Sequence, residues 1–231
     1  MLIKQIIQLD GYQKQTITVR KILNFILLWK QMILKSHSIN KKNNFISGWY
    51  IDKNLCNELI NFFEKSPDKD KTPGRLGADL RVVKEQKDSL DLYLDSSDTQ
   101  YPLNEYLSSL SNVIDHYKKQ YSYCDRDMEV WGLTASYNLQ RYLPSQGYRM
   151  WHCEKSGHKE SLHRHLVFMT YLNDLTDGGE TEWYYQKEKI KPEKGLTIIW
   201  PAEWMFTHRG IVSETQTKYI VTGWYGFRWK I

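Results

Sequence analysis

The sequence is poor in cysteine, in long apolar runs and in charge of one sign, and each shortage removes a class of protein. Its three cysteines, Cys56, Cys124 and Cys153, are odd in number, widely spaced and without a CxxC pair. That excludes a disulfide framework and a thiolate zinc cluster, and fits free thiols in a reducing, cytoplasmic compartment. The most apolar stretch, Ile22 to Leu34, has only thirteen residues and is interrupted by Lys30 and Gln31. Spanning a bilayer takes about 20 residues, and no small-residue cleavage site of the secretory kind is evident. A packed or amphipathic helix is expected there, and no membrane partner. The formal charge is +5, from 32 basic and 27 acidic residues. No dense basic stripe interleaved with aromatics occurs, so nucleic acid is not an expected partner. No internal repeat is visible.

What the sequence has is a core. Of its 231 residues 41% are hydrophobic, and nine tryptophans and sixteen tyrosines crowd towards the C-terminal half. Aromatic residues favour strands and line ligand pockets. Residues 1–44 read as an N-terminal extension, helical in part and ending in the polar linker Ser36 to Asn44. Residues 45–231 read as the main domain, with a helical support over about 45–130 and a β core over about 131–231. One helix is expected from Leu55 to Lys65, capped by Asp52 or Asn54, with Leu55, Leu59, Ile60 and Phe63 on one face. A second starts after Pro102, which suits a first helical turn, and repeats Leu103, Leu107, Leu110, Ile114, Tyr117 and Tyr121. Asp68 to Leu76 and Lys84 to Ser97 read as loops, with a short strand near Leu80 to Val83 between them. Strands are then expected at Ala135–Tyr142, Leu166–Leu172, Glu180–Tyr185, Leu196–Trp200 and Tyr219–Tyr225, with turn residues between them. Helices followed by many short strands imply a closed or sandwiched antiparallel structure of the jelly-roll kind.

Chemistry is carried by His152-Cys153-Glu154. In extended chain the imidazole and carboxylate share a face, while Cys153 points the other way. His208 follows far downstream, beyond the turn at Pro201. Two histidines and one carboxylate on one face of an octahedral ion leave three positions open, the arrangement of non-haem iron(II) oxygenases. Alone, an HxE pair is a weak signal. His163 and His165 also alternate, but Met169 and Thr170 stand where a cupin metal site needs its carboxylate, so these read as ordinary residues, like His37, His116 and His158. Lys218 follows His208 by ten residues and opens the apolar strand Tyr219–Tyr225. Such a lysine is either solvated at the strand end or an anchor for a dicarboxylate.

The stretch from Tyr142 to Tyr225 resembles the prolyl 4-hydroxylase-like family of 2-oxoglutarate/iron(II) oxygenases. Tyr142, Gly147 and Tyr148 lead into His152-Cys153-Glu154. Arg164 precedes Tyr171-Leu172-Asn173-Asp174, and Gly178-Gly179-Glu180-Thr181, Pro192 to Gly195, His208-Arg209-Gly210 and Lys218 follow in order. The match is strong over about the last 90 residues, weaker over 45–130 and absent before that. The resemblance implies a double-stranded β-helix, with iron held by His152, Glu154 and His208. Lys218 would hold the 5-carboxylate of 2-oxoglutarate, with Tyr142 as a hydroxyl partner and Tyr148 a weaker one. Fe(II), 2-oxoglutarate and dioxygen would then be cofactor and cosubstrates. The substrate would be an unidentified C–H bond, in peptidyl proline or another protein or free amino-acid side chain. Three departures stand out. Glu154 replaces the usual Asp, the lead-in from Tyr142 to His152 is about one residue longer, and Arg209 replaces a small residue after the distal histidine. A non-catalytic metal-binding jelly roll, or a cupin-like module, is the alternative; it leaves Lys218 without a role.

Overall fold

The computed structural model describes residues 44–228 except 78 and 127–129; the expected helix at Ile22–Leu34 and the extension around it lie outside the described residues. An eight-stranded antiparallel sheet forms the larger layer. Its path joins β1 (Ser47–Tyr50), β9 (Leu196–Pro201), β6 (Arg164–Tyr171), β11 (Lys218–Phe227), β5 (Ser136–Tyr142), β3 (Leu90–Asp95) and β2 (Lys71–Pro73), and β4 (Trp131–Leu133) pairs with the far end of β11. A smaller sheet joins β10 (His208–Gly210), β7 (Thr181–Trp183) and β8 (Glu188–Ile190). Isolated bridges at His152–His208 and Gly178–Ser213 tie further chain to the small sheet. Among the described residues no helix is long and apolar enough to cross a membrane.

The central strands β6 and β9 are buried on both faces, which is why they read as nearly continuous apolar runs. Alternation sorts them. Leu166 and Phe168 of β6, Val221 and Tyr225 of β11, and Tyr137 and Leu139 of β5 pack under two helices, α1 (Lys53–Lys65) and α2 (Leu103–Gln120). Their neighbours Val167, Met169, Tyr171, Ile220 and Tyr142 point the other way, towards Trp183 of the small sheet and Trp200 of β9. That second face is the barrel interior, and its parity places Lys218 there too, two residues before Ile220.

Both helices form where expected. Asp52 caps α1, its carboxylate accepting from the Asn54 N–H at 2.8 Å. Pro102 stands at the cap of α2, one residue outside the turn it was expected to open. The segment expected to be looped between Lys84 and Ser97 instead contains β3. Its carboxylates hide the strand: Leu92 and Leu94 face the helices, while Asp91 is fully buried. Lys87 Nζ (2.7 Å), Ser89 Oγ (2.7 Å) and Gln140 Nε2 (3.0 Å) satisfy it. β2 likewise lies in the expected loop Asp68–Leu76. The short strand expected near Leu80–Val83 is absent; Arg81 and Leu76 exchange two backbone hydrogen bonds across a tight turn.

Candidate metal and cosubstrate site

His152 and His208 are brought together by backbone pairing. Each donates its N–H to the other's carbonyl, at 2.9 and 2.8 Å, as in a hydrogen-bonded antiparallel pair, whose side chains share a face. The ring centroids lie 4.3 Å apart. Each ring also turns Nδ1 to the carbonyl two residues before it, Met150 O and Phe206 O, both at 2.9 Å. A carbonyl only accepts, so both Nδ1 atoms carry the proton, and in the neutral rings both Nε2 lone pairs are free.

Those lone pairs face Glu154, whose Oε1 lies 3.4 Å from His152 Nε2 and 3.6 Å from His208 Nε2. The three ligand atoms lie within 4.8 Å of one another, the only such cluster among the described residues. Burial, then the adjacent His208, pulls the His152 pKa below the usual histidine value. Burial alone would raise the Glu154 carboxyl, but His152 and His208, when they carry a second proton, hydrogen-bond to it, and with the Arg164 charge they hold it well below the carboxylate range. Two neutral imidazoles and a carboxylate aimed at one point are three acceptors that repel one another unless a cation lies between them. That donor set, with both tautomers fixed from behind, fits a divalent metal of the iron kind.

The other sequence candidates share this site's cavity. Its volume is about 690 Å³, and His152, Glu154, His208, Lys218 and Tyr142 all line it; ligand sites commonly span about 300–1,000 Å³. Lys218 sits opposite Tyr142 in the β11–β5 register, its Nζ 5.1 Å from the Tyr142 ring centroid. It is only 6% exposed, donates to Gly179 O at 3.1 Å, and has no carboxylate within ion-pair distance among the described residues. Burial lowers its pKa to about 8, against a smaller raising effect of Glu180. The Tyr142 hydroxyl donates to Gln140 Oε1 at 2.8 Å. The Tyr148 ring stacks on His152, its centroid 3.7 Å away. His163 and His165 stay out of the metal cluster, and His165 donates to Cys124 O at 2.9 Å on the helix side.

Several lining residues escaped the sequence reading. Arg164 and Trp224 bind Glu154 Oε2, at 3.1 and 2.9 Å. Thr181, at the end of the Gly178-Gly179-Glu180-Thr181 motif, lines the cavity and accepts from Tyr171 OH at 2.7 Å. Lys87 reaches the cavity from β3's approach, paired with Asp91. Only Arg164 and Thr181 left a signal, as motif members without an assigned role.

Comparison with known proteins agrees with this geometry. The family description "2OG-Fe(II) oxygenase superfamily" matches residues 137–226. No characterised protein matches the sequence by itself. Among solved structures, a prolyl-4-hydroxylase of Pseudomonas putida is 14% identical, covering 80% of this chain and 94% of its own, with a TM-score of 0.60. A viral collagen prolyl hydroxylase from Paramecium Bursaria Chlorella virus-1, solved with 2-oxoglutarate, is 16% identical over 79% of this chain and 96% of its own, at 0.58. A prolyl hydroxylase of Trichoplax adhaerens, solved with a hypoxia inducible factor peptide, is 16% identical over 91% and 94%, at 0.61. At these identities the structures speak for the fold, a double-stranded β-helix, and the sequence match speaks for the chemistry. Residues 137–226 thus match the 2-oxoglutarate/Fe(II) oxygenase superfamily, on a prolyl 4-hydroxylase-like fold, and the chain is an enzyme that uses Fe(II), 2-oxoglutarate and dioxygen.

Proposed function

We propose that His152, Glu154 and His208 hold the iron, that Lys218 holds 2-oxoglutarate, and that the substrate is an amino-acid side chain within a peptide, prolyl residues being the first class to test. The observation that carries the cosubstrate reading is Lys218. A buried ammonium without a carboxylate partner among the described residues, in the cavity where two imidazoles and a carboxylate converge, suits a ligand that chelates metal at one end and carries a free carboxylate at the other. Tyr142 adds a second donor if its hydroxyl exchanges Gln140 for that carboxylate. A purely structural metal site needs no such anchor. Bound iron supplies the centre at which dioxygen and the keto acid react, yielding succinate, carbon dioxide and one oxygen atom for a substrate C–H bond. The protein's part is to orient and shield. The hydrogen bonds to Met150 O and Phe206 O fix the imidazoles, and the Tyr148 ring covers one face of His152.

A peptide substrate is supported by the surface at the cavity's edge. Arg209 lines the cavity and also lies 4.4 Å over the Trp151 ring. From Trp151 a strip of edge-to-face rings runs through Tyr184, Tyr185 and Trp204, the last three exposed. Such a strip suits the flanks of an extended chain and has nothing to offer a free amino acid. The test is mass spectrometry of a peptide library incubated with protein, Fe(II), 2-oxoglutarate and air. A +16 Da product that needs 2-oxoglutarate and vanishes in His208→Ala supports the proposal. Turnover of free amino acids at an equal rate, with no peptide product, overturns the peptide assignment.

A further inference from the structure

We infer that Arg164 and Trp224 are positioning residues that make Glu154 a one-oxygen ligand aimed at the metal. The inference rests on the triad proposed above. A glutamate has one more rotatable bond than the aspartate that family members carry here, so its carboxylate can swing away or bind through both oxygens. In this structure neither is free to happen. Oε2 receives Arg164 Nη1 at 3.1 Å and Trp224 Nε1 at 2.9 Å, while Oε1 alone faces the two histidines. Arg164 Nη1 also donates to the Glu154 main-chain carbonyl at 2.9 Å. One guanidinium therefore holds both ends of the longer arm, and it lies 3.6 Å over the Trp224 ring that supplies the other donor.

The backbone shows how the clamp is built. Interior-facing residues of β6 are Val167, Met169 and Tyr171, so strict alternation would next turn His165 inward. The β6–β11 register slips between Tyr225 and Gly226, where Leu166 is followed by Arg164 as the next partner. This bulge leaves His165 on the helix side, against Trp131 and Phe227, and brings Arg164 into the cavity. Bulges re-aim side chains in this way. Trp224 is already inward by its own parity on β11, with Ile220 and Thr222.

The test is anaerobic Fe(II) titration of the full chain, read as affinity, in a double-mutant cycle. Trp224→Phe keeps the ring but removes the N–H. It is expected to weaken binding by roughly tenfold to a hundredfold, as lost partners of metal ligands do. In the Glu154→Gln background the same change is expected to cost less than about twofold, because the amide offers the indole no second acceptor. A role confined to packing costs the same in both backgrounds, and that equality overturns the inference. Arg164→Lys is expected to fall between wild type and Arg164→Ala, since an ammonium cannot serve Oε2 and the carbonyl in one geometry. If charge alone mattered, removing a cation beside Fe(II) would tighten binding. Tighter binding in Arg164→Ala, or unchanged binding in Trp224→Phe, therefore also overturns it. Thermal unfolding of each metal-free variant identifies any that fail to fold, and Trp224→Phe then decides. A wild type that takes up no iron at all removes the triad itself, a different result from variants that bind like wild type.

Discussion

Lys218 is where the chemistry of this chain is most exposed to measurement. A charge-assisted hydrogen bond contributes roughly 1.5–3 kcal/mol, and about 1.4 kcal/mol is a decade. Lys218→Ala should therefore raise the 2-oxoglutarate dissociation constant about ten- to a hundredfold, with iron affinity little changed. Anaerobic isothermal titration of Fe(II) into the metal-free variant, then of 2-oxoglutarate into the loaded one, reads both. The depressed pKa adds a pH dependence whose sign can be worked out. Lys218 in the ligand-free fold loses its proton near about 8, the unfolded chain only near 10.5. Across that window the unfolded state binds the extra proton, so this residue makes the fold more stable as pH rises. Cosubstrate binding runs the other way, because only the ammonium pairs with a carboxylate. Affinity for 2-oxoglutarate should be greatest below about pH 8 and fall above it, and Lys218→Arg, which stays charged, should lose that decline. Titrations on either side of about pH 8 check it; an equal decline in Lys218→Arg assigns the dependence to another group.

The elements explain what could and could not be read in advance. Strands β6, β9 and β11 were legible because both faces are largely apolar or aromatic, β5 because Tyr137 and Leu139 alternate with polar residues, and the helices because their buried residues recur every three or four positions. β3 was not, since Asp91 and Asp95 look like loop residues until Lys87, Ser89 and Gln140 are seen to satisfy Asp91 from other segments. The expected strand Glu180–Tyr185 shortens to Thr181–Trp183 because Tyr184 and Tyr185 leave the sheet for the exposed ring strip. The proposed metal ligands and Lys218 could be named from the motif resemblance, but the proposed Arg164–Trp224 clamp depends on a one-residue bulge, which no periodicity reveals. Gly223 offers a stability test at this scale. It sits in β11, and a Cβ there would come within 2.5 Å of Phe168 Cζ and 2.7 Å of Tyr137 Cβ. Gly223→Val should cost about 1–3 kcal/mol through overpacking, read as a lower urea midpoint. An unchanged midpoint means that the sheet and helix layer yield more easily than their close packing suggests.

For the whole molecule, a helix-backed sheet fixes one wall of a cavity, and a small second sheet brings His208 over to His152 and Glu154. The cavity carries three side chains that could hold a metal and, on β11, a buried cation. That division lets the core be conventional while the chemistry stays at the junction of the two sheets, where loops and sheet ends can vary with substrate. The central question is whether one protein molecule chelates iron and 2-oxoglutarate together. The most direct measurement is titration of 2-oxoglutarate into the anaerobic Fe(II) protein, following the metal-to-ligand charge-transfer band that forms when a keto acid chelates ferrous iron. The expected result is a saturable band with one equivalent of each in the wild type, no band in His208→Ala, and a band in Lys218→Ala only at about ten- to a hundredfold higher 2-oxoglutarate. A wild type that binds iron but gives no band, or a His208→Ala variant that gives the full band, would contradict it.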